Sequence, residues 1–125
     1  LASGLLSGKM SKSTTFSPGD HRNYNRDGDA FFVGETFSGL PFEKGVAFAD
    51  EIKHWLPAGM TLADLALRWI LDQPAVSTVI AGVTRPAQLQ ANAAASRMDP
   101  LDPALVEKLR DFYLEKVRPE VRGGI

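Results

Sequence analysis

Thr84 and Arg85 stand just ahead of Pro86, and Gln88 and Asn92 follow at helical spacing. Arg carries a fixed cationic fork that matches the oxygens of a phosphate. Carboxamides present a donor beside an acceptor, which is what reading the edge of a base requires. Gln88 and Asn92, at i and i+4, share one helix face. The four side chains are therefore candidates for gripping a phosphorylated nucleoside; the plain alternative is a pair of solvated amides beside a surface arginine. Other chemistries find less support. The chain has no Cys, which removes thiolate chemistry and disulfides. His21 and His54 have no companions at metal-ligand spacing. Asn23, Asn25, Asp27 and Gly28 imitate the start of a calcium loop. The first position is Asn instead of Asp, however, and the twelfth is Gly34 with Glu35 one place late, so no metal is expected.

The elements around these residues explain how they would be aimed. Val76 to Ile80 is a short β-branched run that reads as a buried parallel strand. Gly82 follows at its end. Thr84 is of the type that caps helices, and Pro86 suits the first turn of a helix running to about Ala95. A strand, a tight turn and a helix N-terminus would direct free N–H groups and a positive dipole end toward one place, which favours phosphate.

Elsewhere, Leu1 to Gly8 is small and apolar, with Gly4 and Gly8 supplying backbone freedom, and reads as a strand exit. Ser11 to Leu40 has loop composition. Pro41 to Leu56 shows helical spacing, with Phe42, Val46, Ala49 and Ile52 inward, stopped by Pro57 and Gly59. Thr61 caps the next helix, with Asp64 placed for a capping box and Leu62, Leu65, Ala66, Trp69 and Ile70 as its core stripe. Asp102 and Pro103 open a last helix, buried through Leu105, Leu109, Phe112 and Tyr113. Residues 118–125 are expected to fray. Fourteen basic and fifteen acidic residues in 125, without blocks of one sign, argue against nucleic acid or an acidic membrane as partner. No apolar run approaches the ~20 residues of a membrane span, no signal peptide is visible, and a cytoplasmic protein is expected.

The segment GVTRPAQLQAN resembles the stretch after the last barrel strand of aldo-keto reductases, where the adenosine 2′-phosphate and adenine of NADPH bind. LASGLLSGK is similar to that family's turn after the seventh strand, where backbone and a Lys hold the pyrophosphate, and DHRNYNRDGDAFFVGETFSG resembles a bacterial form of the loop that folds over the cofactor. The resemblance implies an α/β fold, the C-terminal portion of a (β/α)8 TIM barrel: strand-7 exit and cofactor loop over 1–40, helices over 41–73, last strand and adenosine helix over 76–95, and a C-terminal helix over 102–117. A whole barrel takes ~250 residues, so the upstream half is an expected partner, and Leu1 is expected to have residues before it. The implied cofactor is NADPH, held by Leu1, Ala2, Ser3, Gly4, Lys9, Arg22, Gly82, Thr84, Arg85, Gln88 and Asn92, with Arg26 a second candidate beside Arg22. Ala91 stands where the family often has Glu, which removes one adenosine contact. The implied reaction is hydride transfer to a carbonyl substrate. The family's catalytic Tyr, Lys, Asp and His map to none of these residues; Tyr24 sits in the loop without a Lys, and Tyr113 on a core stripe. A non-catalytic, cofactor-sensing channel partner of the same fold and an inactive or stand-alone helical module stay open.

Overall fold

The computed structural model describes residues 1–123. Gly124 and Ile125, the end of the stretch expected to fray, lie outside the described residues. Among the described residues five α-helices form the frame: α1 (His21–Tyr24), α2 (Phe42–Lys53), α3 (Leu62–Leu71), α4 (Pro86–Ala94) and α5 (Pro103–Phe112). The last continues as a wide π-type turn, Tyr113–Val117, and a 3₁₀ turn, Arg118–Glu120.

Local chemistry starts α3 and α5 where the residues indicate. Thr61 Oγ1 accepts the N–H of Asp64 at 3.2 Å and the Asp64 carboxylate accepts the N–H of Thr61 at 3.0 Å, a complete capping box. Asp102 accepts the N–H of Ala104 at 2.7 Å, with Pro103 next to it. Helix α2 buries Phe42, Val46 and Ala49 as its spacing predicts. Gly45 lies on the same face because Leu5 packs against the helix backbone there: a Cβ on Gly45 would sit 2.6 Å from Leu5 Cδ1.

Two apolar clusters result. Leu5, Phe37, Phe42 and Val46 form one, with Phe16 packed on it. Ala49, Leu62, Leu65 and Leu101 form the other, joined by Leu105 and Leu109 of α5. Burying each large side chain contributes roughly 1.5–3 kcal/mol.

Several expectations are corrected. No strand occurs among the described residues. Val76 to Ile80 is irregular backbone, and Ile80 is 95% exposed. A parallel strand exists only by pairing with neighbours, and none of the described residues forms one beside it. The strand exit at residue 1 is instead a left-handed turn, with Ala2 at φ 49°, Ser3 at 54° and Gly4 at 98°. Trp69 and Tyr113 leave their stripes and are each 39% exposed, while Leu67, off the stripe, is buried. Residues 11–40 hold α1 and two 3₁₀ turns, Val33–Glu35 and Phe37–Gly39, in place of unbroken loop. Arg122 ties the stretch 118–123 to residues 26–40. The α/β barrel segment is thus seen as helices and turns.

Candidate functional site

Ser3 and Gly4 form the tightest part of the first constellation. Left-handed backbone is costly for residues with a Cβ and persists only where surroundings hold it. Here the holding group is Phe37, whose N–H donates to Ser3 Oγ at 3.1 Å, while Ser3 Oγ donates to Glu35 O at 3.4 Å. Leu1 closes the turn by accepting the N–H groups of Gly4 (3.0 Å) and Leu6 (3.3 Å). Ala2 packs against the first apolar cluster.

Arg22 comes to the same turn. Its Nη1 would lie 3.7 Å from a Cβ on Gly4. Its Nε and Nη2 are already spent on Asp20, at 2.9 and 2.6 Å, and its guanidinium lies 4.6 Å over the Phe16 ring. The Arg22 hydrogen bond holds the Asp20 carboxyl down at about 2, and Asp20 in turn raises Arg22. Nη1 is therefore the nitrogen left to meet an anion at the turn. Arg26 stacks on Phe42 at 4.9 Å and lends its carbonyl to Arg122. Lys9 is exposed and forms no ion pair among the described residues.

The second constellation lies at the start of α4. Arg85, not Thr84, takes the capping position. Gln88 turns back over the helix end, and its Oε1 accepts Thr84 N–H at 2.8 Å, Thr84 Oγ1 at 2.9 Å and Arg85 N–H at 3.2 Å. The Thr84 and Arg85 N–H groups are thus satisfied by the chain's own amide, while Gln88 and Asn92, at i and i+4 of α4, keep to one face of the helix. The Arg85 guanidinium is exposed and makes no hydrogen bond or ion pair among the described residues. Asn92 is half-buried further along α4. Gly82 is exposed with open space where a Cβ would be, so nothing here demands glycine.

Helix α3 packs against both the Ala2–Ser7 turn and α4. No hydrogen bond or ion pair joins the two constellations among the described residues. Two clefts are lined by other side chains. One, of about 540 Å³, is lined by Asp72, Leu101 and Arg110; the other, of about 300 Å³, by Phe32, Leu40 and Tyr113. Among the described residues no group of three His, Asp or Glu could hold a metal ion. Tyr24 is exposed, edge-on to Phe31 at 6.1 Å. The cations at the two turns, Lys9, Arg22 and Arg85, carry the charge and donors that suit an anion.

The family model for the aldo/keto reductase family matches residues 1–113, both constellations included. The chain belongs to the aldo/keto reductase family. A probable voltage-gated potassium channel subunit beta from Arabidopsis thaliana is 36% identical over 96% of this chain and 35% of its own length. Its counterpart from Oryza sativa subsp. japonica is 34% identical over 93% of this chain and 34% of its own. Aldo-keto reductase YhdN of Bacillus subtilis (strain 168) is 31% identical over 73% of this chain and 25% of its own. This aldo/keto reductase chain therefore spans about a third of the length of its plant relatives. No solved structure gives a significant match. No helix among the described residues is long and apolar enough to cross a membrane.

Three residues that shape the site escape a reading of the sequence. Asn25, read as part of a false calcium loop, is fully buried. Its Oδ1 accepts the N–H groups of Ala30 (3.0 Å) and Phe31 (2.9 Å), and its Nδ2 donates to Thr36 at 3.0 Å. Arg122 has no local signature. Asp20 does: it precedes Arg22 by two residues and caps α1, accepting the Arg22 N–H at 2.9 Å.

Proposed function

We propose that this chain is the cofactor-holding C-terminal part of an NADPH-dependent carbonyl reductase of the cytoplasm. The observation that carries this reading is the family match over residues 1–113, which takes in both cation-bearing turns. The groups present fit the cofactor's anionic end in kind. Lys9 and Arg22 Nη1, beside Leu1, Ala2, Ser3 and Gly4, would hold the pyrophosphate; Thr84 and Arg85 would hold the 2′-phosphate, and Gln88, Asn92 and the backbone near Gly82 the adenosine. Because Gln88 already satisfies the Thr84 and Arg85 N–H groups, the 2′-phosphate falls to the Arg85 side chain unless Gln88 swings away.

NADPH, when bound, supplies a hydride to a carbonyl carbon. The residues of this chain bind and orient it, and the proton comes from groups outside the chain. In the intact protein Arg85→Ala raises the NADPH dissociation constant by about tenfold or more while leaving the NADH constant nearly unchanged, because a lost charge-assisted contact affects only the 2′-phosphate. Equal effects on both cofactors would remove Arg85 from that role. A second reading is favoured by the two plant relatives described as probable potassium channel subunits: a subunit that binds NADPH without turning it over. Carbonyl-dependent consumption of NADPH by the intact protein separates the two.

A further inference from the structure

Arg122 lies beyond the residues that the family model matches, yet it is among the most heavily engaged side chains in the molecule. Its backbone N–H and its Nε both donate to Gly39 O at 3.0 Å. Nη1 donates to Asp27 Oδ1 at 2.6 Å, and Nη2 to the carbonyls of Arg26 (3.0 Å) and Leu40 (3.2 Å). The planar fork thus gathers both ends of the segment 26–40.

Its main acceptor, Gly39, ends a second left-handed run. Phe37, Ser38 and Gly39 have φ of 51°, 54° and 78°. The approach is close: a Cβ on Gly39 would meet Arg122 O at 2.6 Å. This run is the one whose Phe37 N–H holds Ser3 Oγ. The two costly turns therefore brace each other, and Arg122 clamps the outer one. The strap bearing Arg122 is itself fastened to α2, through Lys44 with Glu120 and through Lys116 with Glu51 at 2.7 Å.

We propose that Arg122 is a positioning residue: it acts through Gly39, Phe37 and Ser3 to hold the Ala2–Gly4 turn, and so slows the departure of a cofactor whose pyrophosphate rests there. The second half rests on the NADPH reading above. Losing the fork leaves the Gly39 and Leu40 carbonyls short of a charged donor and frees the outer turn to relax.

Hydrogen exchange and NADPH release are measured on the intact protein with Arg122→Ala and Arg122→Lys. In Arg122→Ala, amides of residues 2–8 and 33–40 exchange about tenfold faster while those of α3 do not, and NADPH leaves about tenfold faster. Arg122→Lys, which keeps the charge beside Asp27 and loses the fork, gives an intermediate effect on both. Unchanged exchange at those turns, or equal acceleration at α3, overturns the clamp. Faster exchange with unaltered NADPH release overturns the retention role. Failure of the unaltered protein to bind NADPH overturns the cofactor reading itself, and is seen before any variant is made.

Discussion

Asp72 accepts the backbone N–H of Leu101 at 2.9 Å, so the end of α3 is tied directly to the segment that enters α5. Its other oxygen receives Arg68 Nε at 2.9 Å and Nη2 at 2.5 Å. Arg68 Nη1 reaches on to the carbonyls of Met98 (3.2 Å) and Ala95 (3.4 Å). Two side chains, 12% and 16% exposed, thereby hold the whole 95–101 connection.

Asp72→Ala leaves Arg68 and the Leu101 N–H without their partner. A loss of about 2 kcal/mol is expected, below the range for a fully buried pair because some solvent reaches this one. Burial pushes the Asp72 carboxyl upward, but the Leu101 N–H and Arg68 outweigh it, and the net direction is down. A depressed carboxylate stabilises the fold above the usual Asp range, and that stabilisation disappears as pH falls through the folded value. Chemical denaturation of the intact protein and its variant at several pH values checks both points: the difference between them narrows in acid.

The Arg22 hydrogen bond lowers the Asp20 carboxyl from 3.8 to about 2. Its stabilising contribution is complete above 3.8 and is lost between there and about 2, as protonation releases Arg22. Carboxyl carbon shifts followed by NMR should place its midpoint well below the ordinary Asp value of 3.8. Asp20→Asn should abolish that acid-dependent portion and weaken the hold on Arg22, while its Oδ1 still caps the first turn of α1.

Asn25→Ala removes three hydrogen bonds at once, one buried and two part-buried, and leaves two N–H groups and the buried Thr36 hydroxyl without their partner. The expected loss is about 2–3 kcal/mol. Exchange should quicken first at residues 28–36, before α3 responds; uniform quickening would show that Asn25 does not act on this loop.

The starts of α3 and α5 were legible in the sequence because each is written within a few residues. Thr61 and Asp64, or Asp102 and Pro103, meet through their own backbone wherever the chain goes next. The inward face of α2 was legible for the same reason: a fixed helical period sorts Phe42, Val46 and Ala49 to one side. The candidate cations, Lys9, Arg22 and Arg85, were also legible by type.

The tertiary structure alone decided whether Val76 to Ile80 became a strand, since a strand's hydrogen bonds belong to its neighbours. It also decided that Trp69 faces outward, that Gln88 turns back on its own helix end, and that Arg22 has one nitrogen left at Gly4. The Ser3–Phe37 brace and the Arg122 clamp join residues 34 and 83 positions apart. No local spacing encodes such meetings: they exist only once Leu5, Phe37 and Phe42 have packed and brought the distant backbone within hydrogen-bond reach.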